Sequence, residues 1–207
     1  MEVKLKIPEK WNEITLTQFQ SYYAEMRKDI NETTKLLILV SSFCGISISQ
    51  AHKIYLKDLK KTVNSLNILF TKIPKDLILM FRWEGKEYGF IPNFDELTVG
   101  EYADLEYYLS DKDLIWDNMH TVMSILYREV IDKQDDKYRI KDYEPTPEVA
   151  KSFRTLPMNI VYGASNFFLT LGMELSEIMS NFTQEEMETI IQNDREKQKQ
   201  TNGDGTH

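Results

Sequence analysis

Apolar residues recur every three or four positions along most of this chain, which is the spacing of one face of an α-helix. Between Asp58 and Pro74 they form a single stripe, and the proline predicts where that helix ends. The same spacing, together with suitable N-capping residues, predicts further helices that begin near Thr15, Asn31, Ser47 or Ser49, Thr98, Asp111 or Asp113, Thr146, Pro157 and Thr183. Those at Thr15, Thr98 and Thr183 carry a Gln or Glu three residues later, the capping-box pattern.

Two segments alternate in the way that strands do. Residues 77–91 hold two apolar and aromatic runs joined at Glu84-Gly85, where a glycine can adopt the positive φ of a tight hairpin turn. Residues 1–7 alternate charged and aliphatic side chains, and we expect them to pair with the hairpin because a hairpin alone is only marginally stable. The polar segment 131–144 predicts an exposed loop with a short edge strand around residues 138–140.

These elements predict a mainly α protein of the α+β class. We expect a multi-helix single domain with a small antiparallel β element, which is built from the N-terminal strand and the 77–91 hairpin. The domain is expected to span residues 1–192, and the segment 193–207, which has no apolar side chain, to be a disordered polar tail. Four large apolar residues are expected in the core: Trp83, Phe90, Phe167 and Leu171.

The charge balance narrows the range of partners. The 207 residues include 25 Lys and Arg against 33 Asp and Glu, a formal net charge of −8. Neutralising phosphates requires basic side chains, so we expect no binding to nucleic acid or to an anionic membrane. An acidic surface fits a basic partner better.

Cysteine usage and hydropathy indicate the compartment. Cys44 is the only cysteine, so no disulfide can form within the chain, and a reducing environment fits best. The longest aliphatic run, Leu36–Val40, is far too short to span a bilayer, and residues 1–7 lack the apolar block of a signal peptide. We therefore expect a cytoplasmic protein.

The histidines and the cysteine give little indication of catalysis. His52, His120 and His207 lie far apart in the sequence, although His120 shares a predicted helix with Asp117 and could form a His–carboxylate pair. An ordinary histidine at a helix surface is the favoured interpretation, because catalysis needs several converging groups. Cys44 ends an apolar helix, where a buried thiol acts as a small hydrophobic side chain.

Motifs for cofactors and metals are absent from the sequence. The loop residues Asp132, Asp135 and Asp136 do not have the spacing of an EF-hand, and neither a dinucleotide fingerprint nor a P-loop occurs. A set of aromatic residues could stack on nucleic-acid bases, but without nearby Lys and Arg it fits a core better: Trp83, Tyr88, Phe90 and Phe94. We expect no catalytic residue, no cofactor and no metal, and hence no enzyme.

Four segments of the chain resemble a known family. They are Pro8–Thr15, Gly85–Ile91, Leu97–Glu106 and Met119–Arg128. In these segments and in the order of its elements, the chain is similar to the small, acidic, helical tail-assembly-chaperone-like proteins of tailed bacteriophages, over about a third of its length. The resemblance implies a non-enzymatic role in the host cytoplasm, where the protein coats the tape-measure protein and recruits tail-tube subunits to it. It implies no particular binding residues.

Two other classes of function stay open. The chain also fits a structural component that remains in the virion, such as a neck, connector or baseplate protein. Its net charge of −8 is compatible with an acidic regulatory module that binds a basic partner. Self-association into a homo-oligomer is open in each case.

The helix that begins at Pro157 is the candidate for a partner-binding surface. Gly163-Ala164-Ser165 make it narrow in the middle, so that a neighbouring segment can pack closely. Three of its apolar residues fall off the main apolar stripe, and a helix that is apolar on two sides is either fully enclosed or leaves one side for a partner. The candidate partner-binding residues are Val161, Phe168 and Met179.

Overall fold

The computed structural model describes residues 5–93, 97–135 and 137–168. The chain divides into two compact units, residues 1–165 and residues 166–207. Nearly all of the described residues belong to the first unit, and the predicted domain boundary at residue 192 lies outside them.

Helices make up most of the described chain. They are a short 3-10 helix at Trp11–Glu13, α1 at Leu16–Met26, α2 at Glu32–Cys44, α3 at Ile48–Ala51, α4 at Leu56–Phe70, α5 at Val99–Leu109, α6 at Ile115–Leu126, α7 at Pro147–Phe153, and α8, whose described part runs from residue 158 to residue 168.

Strands from two regions of the sequence form a small antiparallel sheet in the order β1-β2-β3-β4. They are β1 at Met80–Trp83, β2 at Lys86–Phe90, β3 at Tyr127–Gln134 and β4 at Lys137–Ile140. The combination of helices with a small antiparallel sheet confirms the predicted mainly α, α+β class.

The predicted capping boxes are formed by the expected side chains. The Thr15 and Thr98 hydroxyls each accept a hydrogen bond from the backbone N–H three residues later, and Gln18 and Glu101 accept one from the threonine N–H. The box predicted at Thr183 lies outside the described residues. Two other predicted N-caps, Asn31 and Ser47, are also confirmed. Gly45 ends α2 with a left-handed φ of 65°, a conformation that glycine adopts without strain.

The predicted 77–91 hairpin is formed by β1 and β2. Trp83 pairs with Lys86, and the two residues between them, Glu84 and Gly85, have φ angles of 47° and 80°. Two consecutive positive φ angles are typical of a type I′ turn, whose twist matches that of the flanking strands. The hairpin prediction is therefore confirmed down to its turn.

The third strand comes from a different part of the chain than predicted. Residues 5–7, the described part of the predicted N-terminal strand, belong to no strand, and β2 pairs with β3 instead. The apolar spacing of Ile115, Met119, Val122, Leu126 and Val130 predicts a helix that reaches Val130, but α6 ends at Leu126 and the chain continues directly into β3. Tyr127 is fully buried at this junction, and its hydroxyl donates to the Ile78 carbonyl oxygen at 2.7 Å. Apolar spacing alone does not distinguish strand from helix here.

Part of the polar segment 131–144 forms a second hairpin. β4 contains the predicted edge strand, and Asp135 adopts a left-handed φ of 51° in the turn before it. The Tyr138 hydroxyl donates to the Phe90 carbonyl oxygen at 2.8 Å, so β4 also contacts β2. This approach requires Gly89, because a Cβ there would lie 2.5 Å from the Tyr138 ring.

Aromatic side chains fill two parts of the core. Among the helices, Trp11 stacks on Phe70 and meets the Tyr162 ring edge-on, with ring centroids 5.4 Å and 4.7 Å apart. Against the sheet, Phe153 of α7 contacts Tyr88 of β2 edge-on at 5.0 Å. Such edge-to-face pairs add stability beyond the area that they bury.

The four predicted core residues have different outcomes. Phe90 is fully buried, which confirms that prediction, whereas Trp83 in the edge strand β1 is only half-buried. Phe167 is 36% exposed, so its core prediction is wrong; it lies beyond Ser165, where the first compact unit ends. Leu171 lies outside the described residues.

The narrow middle of α8 packs closely on a neighbouring segment, as predicted. A Cβ added at Gly163 would lie 2.2 Å from the Asp76 carbonyl oxygen and 3.3 Å from the Leu77 Cα. These are backbone atoms, which cannot move aside as the end of a side chain can. The absence of a side chain at Gly163 therefore sets the distance between α8 and the segment before β1.

We expect Gly163→Ala to lower the free energy of unfolding by about 1–3 kcal/mol or more, because the new methyl group has to displace backbone atoms. Urea unfolding followed by circular dichroism measures the change. Gly100→Ala in α5 is the matched control. Its Cβ would meet nothing closer than the Thr98 Oγ1 at 4.0 Å, and replacing a helical glycine should stabilise the protein by about 0.5–1 kcal/mol. Equal unfolding free energies for the two variants would contradict the close packing.

Candidate binding groove

A groove of about 670 Å³ lies beside the sheet. Its walls come from β2, β3, α5, α6, α7 and the connection of residues 141–146 between β4 and α7. This volume falls within the range of about 300–1,000 Å³ that is usual for ligand-binding clefts. The lining side chains include Tyr88, Tyr108, His120, Ser124, Arg128, Tyr143, Lys151 and Arg154.

Glu129 of β3 links three neighbouring segments of the groove wall. Its Oε2 accepts hydrogen bonds from Lys86 Nζ at 3.1 Å and from Lys141 Nζ at 2.7 Å. The bonds from Lys141 and then Lys86 lower the pKa of the Glu129 carboxyl, and the same contact raises the pKa of Lys86. The three charges therefore hold β2, β3 and the residue after β4 together.

A buried ion pair joins α5 to β3. Glu101 is only 2% exposed, and its Oε1 lies 2.7 Å from Nη2 of Arg128, which is itself largely buried. The other carboxylate oxygen, Oε2, accepts hydrogen bonds from the Thr98 backbone N–H at 2.7 Å and from the Thr98 hydroxyl at 2.6 Å. One carboxylate thus caps α5 and binds the arginine of the sheet.

Three of the four segments 8–15, 85–91, 97–106 and 119–128 meet at this ion pair. Glu101 belongs to the segment 97–106 and Arg128 to the segment 119–128. Within the sheet, Arg128 is the register partner of Gly89, which belongs to the segment 85–91. Segments that are far apart in the sequence therefore lie in one structural neighbourhood beside the groove.

Tyr143 connects the 141–146 segment to α5. Its hydroxyl donates to Oδ2 of Asp104, and the centroid of its ring lies 6.0 Å from the guanidinium carbon of Arg128. Burial, followed by the hydrogen bond to Asp104, raises the pKa of the Tyr143 phenol, so that it stays protonated and continues to donate. A guanidinium at this distance from an aromatic face forms a cation–π contact.

His120 of α6 is a neutral side chain in the groove wall. Nη2 of Arg154 lies 3.3 Å from its Nε2, and because arginine can only donate, Nε2 accepts and the proton is assigned to Nδ1. Burial and then the charge of Arg154 lower the pKa of His120. The pair that the sequence suggested with the Asp117 carboxylate does not form, because that carboxylate binds Arg27 at 2.6 Å.

Other side chains that the sequence singled out occupy ordinary positions. Cys44 is buried, and burial raises the pKa of its thiol to about 11. Asp132 and Asp135 lie in β3 and the turn after it, while Asp136 and Phe94 lie outside the described residues. Across residues 5–93, 97–135 and 137–168, no group of three or more His, Cys, Asp or Glu side chains is placed to hold a metal ion.

The candidate partner-binding residues of α8 do not share one environment. Val161 is fully buried, so it presents no surface to a partner in this conformation, whereas Phe168 is half-buried. Met179 lies outside the described residues. The structure therefore leaves Phe168 as the one described member of this predicted set that has exposed surface.

Several residues of the groove were not predicted from the sequence. Arg128, Tyr143 and Arg154 come from β3, a loop and the end of α7, and only the folded chain brings them together. A signal for one of them was present: Arg128 is a charged residue directly after an otherwise apolar helical stretch, where a buried charge requires a partner.

No family model, no curated protein and no solved structure matches this chain. Within the part of the chain that the structure describes, no helix combines the length and the apolar character needed to cross a membrane. The function of the chain is therefore inferred from its own groove and surfaces.

We expect Glu101→Gln to lower the free energy of unfolding by about 3–5 kcal/mol, because it leaves the Arg128 charge buried without its counter-charge. Adding Arg128→Met to this variant should recover part of the loss. Glu87→Gln is the control, since Glu87 pairs with Lys133 at 3.6 Å on the surface and should contribute less than about 1 kcal/mol. Urea unfolding measures all three variants, and similar losses for Glu101→Gln and Glu87→Gln would contradict the role of the buried pair.

We expect His120 to titrate below the usual histidine pKa of about 6.5 and to reduce stability in acid. The unfolded chain binds a proton near that pH, whereas the folded chain binds it only at a lower pH. The free energy of unfolding therefore falls as the pH drops through this window and levels off below the folded-state pKa. NMR titration of the ring gives the pKa, and His120→Gln should lose this part of the pH dependence. A ring pKa at or above the usual value would contradict the assignment.

Proposed function

We propose that this chain is a non-enzymatic, tail-assembly-chaperone-like protein of a tailed bacteriophage. In this role it binds the tape-measure and tail-tube proteins in the host cytoplasm during tail morphogenesis. The observation that carries the proposal is the groove, because its interior charges are already paired within the chain.

What the groove offers to a partner follows from that pairing. With Glu129, Arg128 and Asp104 already bound by their neighbours, the interior presents tyrosine rings and hydroxyl groups. Exposed charges of both signs stand at its rim: Lys151, Arg154, Asp142 and Glu144. An aromatic centre with a polar rim of mixed charge is the usual anatomy of a protein–protein interface.

The resemblance supports the same conclusion from another direction. Segments 85–91, 97–106 and 119–128 all supply residues to the groove wall, and the Glu101–Arg128 pair joins the last two of them. Nine of the residues that line the groove lie in these three segments. The acidic chain would bind while the partner is being assembled, and its own net charge of −8 would help to keep the complex in solution.

The test is co-purification of the tape-measure protein encoded by the same phage genome. We expect the wild-type chain to retain it and Ser124→Trp to lose most of the binding, since the indole would fill the groove. Ser65→Trp in α4 is the matched control: both serine hydroxyls donate to the carbonyl oxygen of an earlier residue in their own helix, but Ser65 is exposed and does not line the groove. Circular dichroism has to show that both variants are folded.

Two outcomes would overturn the proposal. A wild-type chain that retains no tape-measure protein has no chaperone role toward it. Retention by a folded Ser124→Trp variant at the wild-type level would remove the groove as the binding site. Mass spectrometry of purified particles separates the proposal from a structural virion component, because an assembly chaperone is expected to be missing from the particles.

A further inference from the structure

Helix α5 has an apolar surface that faces solvent, in addition to the side that packs on the core. Residues 99, 102, 103, 106 and 107 follow the i, i+3, i+4, i+7, i+8 spacing of a single helix face, and all five are exposed. The three large apolar side chains among them are Val99, Tyr102 and Tyr107, with 86%, 52% and 73% of their surface exposed. We call these five residues the outer face of α5.

The packing of α5 fixes the direction of this outer face. On the other side of the helix, Leu105 is 1% exposed and Glu101 is held by Arg128. Tyr108 also lies on that side, where it lines the groove, and its ring meets the Tyr107 ring edge-on at 5.2 Å. Turning the outer face inward would break the buried ion pair, so Val99, Tyr102 and Tyr107 stay on the surface.

The surroundings of the outer face are acidic. Residues 95–113 contain seven acidic side chains and one lysine, a net charge of −6, compared with −8 for the whole chain. Within the described part of this segment, Glu101 binds Arg128 and Asp104 binds the Tyr143 hydroxyl. The carboxylates of Glu106, Asp111 and Asp113 form no ion pair with a described residue, and they stand on or beyond the end of the outer face.

We propose that the outer face of α5 docks an amphipathic helical segment of the tape-measure protein that carries Lys or Arg beside its apolar stripe. This rests on the proposed function and names the chemistry of the partner. Apolar residues of the segment would pack on Val99, Tyr102 and Tyr107, as one amphipathic helix packs on another. Its basic residues would pair with the carboxylates of Glu106, Asp111 and Asp113, which draw a positively charged segment and discriminate against an acidic one.

The outer face and the groove lie on different sides of α5. Asp104 and Tyr108 line the groove, whereas Val99, Tyr102 and Tyr107 do not. A segment docked on the outer face would therefore leave the groove open. The groove and the outer face would then bind two different segments of the tape-measure protein at the same time.

The test uses the full chain and two synthetic peptides of about 18 residues, which is about five helical turns. Both peptides have the same leucine stripe; one carries lysines on its remaining faces and the other carries glutamates. We expect the lysine peptide to bind, with NMR shift changes centred on Val99, Tyr102 and Tyr107, and to bind about tenfold or more tightly than the glutamate peptide. Added salt should weaken its binding.

A double variant, Tyr102→Ser with Tyr107→Ser, should bind the lysine peptide about tenfold more weakly, because aromatic anchors usually dominate such surfaces. The matched control is Tyr55→Ser with Leu56→Ser, which removes two comparably exposed apolar side chains at the start of α4. Equal affinity for the two peptides, shift changes centred elsewhere, or equal losses in the two double variants would overturn the inference.

The same double variants separate this inference from the proposed function. If the wild-type chain and the Tyr102→Ser/Tyr107→Ser variant retain the tape-measure protein equally well, the proposed function stands and the outer face is not its docking site. If the wild-type chain retains no tape-measure protein but binds the lysine peptide on the outer face, the proposed function fails and the surface chemistry stands.

Discussion

The buried pair between Glu101 and Arg128 is the interaction on which much of the described structure depends. A carboxylate as buried as Glu101 is destabilising unless both of its oxygens are used. Here one oxygen closes the capping box of Thr98, and the other binds the Arg128 guanidinium. The start of α5 and the start of β3 are therefore held by a single side chain. Removing either side chain would leave the other as a buried charge without its counter-charge.

This constraint gives α5 two different faces. The inner face carries Leu105 into the core and presents Tyr108 to the groove, while the outer face leaves Tyr102 and Tyr107 in solvent. An apolar helix with one free face usually indicates a binding surface rather than a defect in packing. The charges inside the groove are paired with one another, so neither pair contains a buried charge without its counter-charge. The hydroxyl groups and aromatic rings of the groove therefore remain available to a partner.

Local signals predicted several helix starts and the first hairpin. The Thr15 and Thr98 capping boxes and the type I′ turn at Glu84-Gly85 form as the sequence indicates, because each depends on residues only a few positions apart. The prediction that Gly163 allows close packing also holds, although the partner, the segment after Lys75, was not foreseen. Elements whose energetics are local are the ones that sequence patterns describe reliably.

The sequence by itself determined the mainly α class, the N-caps at Thr15, Asn31, Ser47 and Thr98, the hairpin turn and the acidic character of residues 95–113. Only the tertiary structure decided that the chain leaves α6 as a strand at Tyr127, that Val161 is enclosed, and that Arg128 meets Glu101. These outcomes depend on contacts between residues far apart in the sequence. The same short run of apolar residues can form a strand or a helix. The neighbouring strand or helix that it packs against selects between the two, and no local sequence pattern contains that information.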